Sequence, residues 1–78
     1  QREQRMNRYE RIKILREFVA AGLAWKRAGR PQAGQEHEAF VEAESKFLLM
    51  LESVSIGDLL VEEKETWKKT VAASGLYQ

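Results

Sequence analysis

The chain has 78 residues and a mass of 9.0 kDa, which is enough for one small domain, residues 1–78, with a marginal core of its own. Apolar residues make up 44% and charged residues 32% of the chain, and its net charge is +1, as in a folded globular protein. The absence of cysteine excludes disulfides, thiolate metal sites and thiol nucleophiles. No apolar run reaches the length of a membrane span, and the Arg-rich start does not resemble a signal peptide, so we expect a cytoplasmic protein.

The first predicted element is a helix over about residues 4–28. One half of its helical wheel carries Ile12, Leu15, Phe18, Val19, Gly22, Leu23 and Trp25. We expect it to end at Gly29, because glycine favours the left-handed conformation that follows a helix and Pro31 cannot continue one.

The second predicted helix covers about residues 35–54. Its apolar residues spread over about half of the circumference: Phe40, Val41, Ala43, Phe47, Leu48, Met50, Leu51 and Val54. Leu49 points to the opposite side. This apolar surface is wider than a helix needs when it packs against only two neighbours.

A third helix is predicted over about residues 56–74, with its start near Ser55 or Asp58 and its end at Gly75. Its apolar stripe consists of Ile56, Leu59, Leu60, Trp67 and Val71. We expect residues 76–78 to fold back onto the helices. The short connections predict an all-α, up-down-up three-helix bundle.

The excess apolar surface of the second helix predicts that the bundle is completed by a partner. A homodimer is the simplest solution, because the same helix face then buries itself against its copy. The residues assigned to the partner or dimer interface are Leu15, Phe18, Trp25, Phe40, Phe47, Leu48 and Leu51.

Charge is divided unevenly along the chain. Residues 1–31 carry nine bases and three acids, a net +6, whereas residues 32–78 carry four bases and nine acids, a net −5. One interpretation is that a basic helix packs beside acidic ones. The other is that the first helix contacts nucleic-acid phosphates through Arg2, Arg5, Arg8 and Arg11. The first is favoured, because these arginines recur every three residues and so wind around the helix without forming one stripe.

The sequence contains few residues suited to catalysis, phosphate binding or metal binding. His37 is the single histidine and Asp58 the single aspartate, and the glycines near Pro31 lack the Lys-Ser/Thr pair of a phosphate-binding loop. Glu38 and Glu42 share a helix face, but no further ligand joins them. The sequence therefore predicts no enzyme activity, no cofactor and no metal site.

One polar pair falls within the apolar half of the second helix. His37 and Glu44 are seven residues apart and stack two turns from each other. Either both lie on a solvated rim, or they form a buried contact that fixes helix register, because a carboxylate on a core face needs a partner. For Glu44 that partner would be His37 or a cation of the first helix: Arg8, Arg11, Arg16 or Lys26.

The functional hypothesis that follows is a small regulatory protein without catalytic activity. It would bind a transcription factor or another protein through its apolar helical surface, as an anti-activator or inhibitor does. The alternative is a nucleic-acid-binding protein that uses the Arg-rich first helix. No membrane partner is expected.

Overall fold

The computed structural model describes residues 7–53 and 61–78, which form three helices and no strand. The helices are α1 (Arg8–Arg27), α2 (Gln35–Glu52) and α3 (Val61–Ser74). The predicted all-α bundle is therefore confirmed. The predicted start of the third helix near Ser55 or Asp58 lies outside the described residues.

The start of α1 is set by a capping box. Asn7 has an extended backbone (φ −81°, ψ 174°), and its side chain accepts a hydrogen bond from the Glu10 amide at 2.8 Å. The Glu10 carboxylate in turn accepts one from the Asn7 amide at 3.0 Å. Asn7 thus precedes α1, whereas the helix predicted from the sequence already included Asn7.

The end of α1 follows the predicted pattern. Ala28 caps the helix, and Gly29 has a φ of 91°, in the region that glycine adopts most easily. Lys26 and Arg27 lie in the last turn, where the helix dipole favours positive charge. The connection continues through Pro31 to Gly34, which precedes α2.

Helix α2 ends at Glu52, slightly earlier than predicted. Ser53 caps it, and its hydroxyl donates a hydrogen bond to the Met50 carbonyl oxygen at 2.7 Å. The Ser53 amide donates to the same oxygen at 3.2 Å, so the backbone and the side chain of the cap together satisfy a carbonyl of the last turn.

The core lies between α1 and α2 and is closed by α3 and the residues after it. Its buried members are Phe18, Phe40, Phe47, Met50, Trp67, Val71 and Leu76. The ring of Phe18 stacks on that of Phe47 (centroids 4.7 Å apart), and the ring of Trp25 stacks on that of Phe40 (4.5 Å). Such pairs contribute beyond their buried area.

Among the described residues, helix α3 has only a few close backbone approaches, more of them to α1 than to α2. Trp67 and Val71 are its buried residues. The side of the bundle between α2 and α3 is therefore the less closely packed one. Within the described residues, no helix combines the length and apolar character that crossing a bilayer requires.

Candidate interaction surface

One flank of α2 exposes apolar side chains around a carboxylate. Val41 and Leu48 lie one turn before and one turn after Glu44 on this flank, at helical spacings of three and four. Val41 is 43% and Leu48 48% exposed. Leu49 is 67% exposed but lies about 100° further around the helix. We refer to Val41, Glu44 and Leu48 as the α2 flank.

A groove of about 390 Å³ lies beside α3 and is bordered by Phe47 of α2 and by residues 77–78. Its walls are mostly apolar, and we call it the α2–α3 groove. The lining residues are Phe47, Lys68, Val71, Ala72, Tyr77 and Gln78. Its size lies within the range of sites that hold a ligand or a few side chains of a partner.

Tyr77 joins the groove to the α2 flank. Its hydroxyl donates a hydrogen bond to Glu44 Oε2 at 2.9 Å, and its ring lies 6.4 Å from that of Phe18. Tyr77 nevertheless remains 61% exposed. Partial burial, together with the hydrogen bond to Glu44 and its negative charge, raises the pKa of the Tyr77 hydroxyl to about 12.

Residues 75–78, which we call the strap, form a turn that crosses the end of the bundle. The Gln78 amide donates to the Gly75 carbonyl oxygen at 3.1 Å, and Gly75 has a φ of 77°. Leu76 is fully buried at 0% exposure. The expectation that these residues fold back onto the helices is confirmed.

Cationic side chains from α1 and its following loop hold the strap by its backbone. Lys26 Nζ donates to the Gly75 carbonyl oxygen at 2.7 Å. Arg30 Nη2 donates to the carbonyl oxygens of Leu76 at 3.1 Å and Gln78 at 2.6 Å. Hydrogen bonds from charged donors are stronger than those between neutral groups.

The side chain of Leu76 fits against a glycine of α1. A Cβ built on Gly22 would collide with Leu76 Cδ1 and lie only 2.7 Å from Cδ2. Gly22 costs helix stability compared with alanine, but it creates the space that this leucine occupies. The predicted apolar stripe included Gly22 without assigning it this role.

Arg30 adopts an unusual backbone conformation for its residue type, with a φ of 55°. Its guanidinium lies 5.9 Å from the ring centroid of Trp25, whose indole nitrogen donates to the Pro31 carbonyl oxygen at 2.7 Å. Trp25 thus fixes the loop and provides a surface for the arginine that reaches the strap.

The structure places three predicted interface residues inside the core of the single chain. Phe18, Phe40 and Phe47 are 1%, 6% and 5% exposed, so the folded chain leaves almost none of their surface for a partner. Each stacks on another ring of the same chain, so in the single chain all three belong to the core, and their part in an interface stays a prediction. Leu15, Trp25 and Leu51 are partly buried against this core. Leu48 alone of the seven is exposed.

The predicted His37–Glu44 pair is not formed. Glu44 is half-buried and accepts from Tyr77, not from a cation of α1 or from His37. Within the described part of the chain, His37 Nδ1 is buried and has no hydrogen-bond partner. Tyr77 was missed because it lies 33 residues from Glu44 in the sequence.

The basic first helix is partly engaged by α3. Arg11 Nε and Nη2 donate to the two carboxylate oxygens of Glu63, at 3.0 and 3.2 Å. The hydrogen bond from Arg11 holds the pKa of Glu63 below its usual value of 4.5. Arg8 is exposed, and Arg2 and Arg5 lie outside the described residues. The contact agrees with the interpretation that a basic helix packs beside an acidic one.

In residues 7–53 and 61–78, no group of three His, Cys, Asp or Glu side chains is arranged to hold a metal ion. Comparison of the chain with protein-family models, with curated proteins and with solved structures finds no match.

Proposed function

We propose that this chain is a non-catalytic regulatory protein of the cytoplasm that binds an amphipathic helix of another protein along the α2–α3 groove. Such a protein would act as an anti-activator or as an inhibitor that sequesters this helix. The observation that carries the proposal is the exposed apolar flank of α2 beside an apolar groove.

The shape of the bundle supports a helical occupant. Helices α1 and α2 pack closely, and α3 lies mainly on α1, so the remaining seam runs along α2 and α3. A fourth helix placed in such a seam would complete a four-helix arrangement. Its apolar residues at spacings of three and four would meet the groove and the α2 flank.

The charges around the groove favour an occupant that carries both signs at its edges. Lys68 lies at the groove, and its nearest anion is Glu65, whose Oε2 is 3.5 Å from Lys68 Nζ at an exposed position. Glu44 lies on the other side, bound to Tyr77. An exposed pair such as Lys68–Glu65 is weak and exchanges readily for a partner's charge.

Catalysis is not part of the proposal, because no acid–base arrangement is visible in the described residues. Glu44 accepts from Tyr77, and His37 Nδ1 has no hydrogen-bond partner in the described part of the chain. General acid–base catalysis needs a histidine held in a defined orientation near a second group.

Site-specific photocrosslinking in the native cell tests the proposal. A photoreactive phenylalanine analogue at position 48 should give an adduct with another protein, whereas the same analogue at position 49 should not. The two positions are adjacent, both are leucines and both are exposed, but they face different sides of α2. Equal labelling from both positions, or none from position 48, would contradict the proposal.

The same experiment addresses the predicted homodimer. An adduct of twice the mass of the chain at position 48 would show that a second copy covers the surface. Sedimentation of the purified chain at tens of micromolar, with Leu48→Asp and Leu49→Asp for comparison, would then show dimers that only Leu48→Asp disrupts.

A further inference from the structure

The strap lies in a cleft that has the features of a peptide-binding site. Side chains of Lys26 and Arg30 donate three hydrogen bonds to strap carbonyl oxygens. Because these bonds go to backbone atoms, they recognise the path of a chain and not the identity of its side chains. Peptide-binding proteins commonly obtain affinity from main-chain hydrogen bonds and specificity from side-chain pockets.

The cleft also contains a pocket that the side chain of Leu76 fills. Leu76 is fully buried against Gly22, where even a methyl group would collide with it. The next residue, Tyr77, remains largely exposed and interacts through its hydroxyl with Glu44 and through its ring with Phe18. The pocket is therefore filled by a leucine side chain, and the position of the aromatic residue is the more open one.

The conformation of Arg30 is a third and independent feature. Left-handed backbone at a non-glycine residue is strained, and such residues concentrate at ligand clamps, where the surroundings hold them in place. Here the loop is fixed by the Trp25 indole bound to the Pro31 carbonyl. The guanidinium lies over the Trp25 ring, from which it reaches the strap carbonyl oxygens.

We propose that this cleft is a binding site for a turn of a partner protein that carries a leucine followed by an aromatic residue, and that the strap occupies it as an internal competitor. We expect the ligand to resemble the strap, which is a turn of sequence Gly-Leu-Tyr-Gln. The proposal does not depend on what occupies the α2–α3 groove.

Competition within one chain makes the proposal measurable. A tethered segment has a local concentration in the millimolar range, so a free peptide binds weakly to the intact chain. Weakening the strap should raise the apparent affinity, because a larger fraction of molecules then has an empty cleft.

The test uses the full chain with Leu76→Ala and the synthetic peptide Ala-Ser-Gly-Leu-Tyr-Gln, followed by amide NMR. The peptide should bind the variant at least tenfold more tightly than the unmodified chain, with shifts at Gly22, Lys26 and Arg30. A Leu49→Ala chain is the matched control and should behave like the unmodified chain, since Leu49 lies away from the cleft.

If Leu76→Ala does not fold, titration of the unmodified chain to several millimolar peptide decides the matter. The Gly22 amide should then shift in a saturable manner. No shift at Gly22, or an equal response to a peptide with alanine in place of the leucine, would overturn the proposal. Dimers that exchange their straps, seen as contacts between differently labelled copies, would overturn the assignment to a different protein.

Discussion

The two sides of α1 are closed in different ways. On the α2 side, stacked rings of Phe18, Phe40 and Phe47 form a continuous aromatic layer. On the α3 side, Trp67 is joined by more separate contacts, including the Arg11–Glu63 ion pair and the strap. We therefore expect the first side to respond as a unit to substitution, and the contacts of the second side to be separable by substitution.

The largest effect on stability is expected from a substitution in the aromatic layer between α1 and α2. Phe47→Asp places a charge among stacked rings at a site that is 5% exposed. Loss of a buried phenylalanine alone costs about 3–5 kcal/mol, a large part of the stability of a small domain. We expect Phe47→Asp to lose most of its helical circular dichroism at 25 °C.

Leu48→Asp provides the matched control for that experiment. It makes the same change one residue later, at a site that is 48% exposed, and should remain helical. A Phe47→Asp chain that stayed helical would show that the ring is not an internal core residue.

The next effect concerns the Gly22–Leu76 contact. Gly22→Ala should destabilise the chain by about 1–2 kcal/mol, because overpacking outweighs the gain of about 1 kcal/mol in helix propensity. In a Leu76→Ala background the same change should become stabilising, because the colliding side chain is gone. Urea denaturation of the four chains measures this coupling. Additive effects would contradict the contact.

A smaller effect is expected from the ion pair. Glu63→Gln should cost about 0.5–1 kcal/mol at pH 7, whereas Glu65→Gln, in an exposed pair, should change little. Because the pKa of Glu63 is lowered on folding, its contribution is present above pH 4.5 and is lost as the pH falls below that value. The difference between Glu63→Gln and the unmodified chain should therefore shrink in acid.

The smallest effect belongs to the Tyr77 hydroxyl. Tyr77→Phe should change stability by only a few tenths of a kcal/mol at pH 7, since the hydroxyl is only partly buried and its hydrogen bond to Glu44 lies at the surface. The folded chain holds the Tyr77 proton up to a pKa of about 12, above the ordinary 10.0, so stability falls between these pH values. Tyr77→Phe should lose less stability over this range. Ultraviolet absorbance of tyrosinate would show an ordinary titration if the contact were absent.

Helix positions followed from local signals in the sequence. The apolar repeat and the Gly29–Pro31 stop defined α1 and α2, because both depend on residues within a few turns of one another. The Asn7–Glu10 capping box is equally local and would have corrected the start of α1. These features need no knowledge of the rest of the chain.

The surface was harder to predict because its parts are distant in the sequence. A helical wheel placed Phe47 and Leu48 on the same broad apolar half, but only packing against Phe18 decides which of them is buried. The hydroxyl that donates to Glu44 and the carbonyl oxygen that accepts from Arg30 both lie in the strap. Periodicity carries no information about such contacts.

The position of the strap also constrains the order in which the chain folds. The Lys26–Gly75 hydrogen bond joins residues that are 49 positions apart, so it requires closure of a long loop. The neighbouring helices α1 and α2 need a much shorter closure, and low sequence separation favours early contact formation. We therefore expect the α1–α2 aromatic layer to assemble first and Leu76 to enter its pocket last. On the ribosome, that final step has to wait until residue 76 has been made, well after both helices of the aromatic layer.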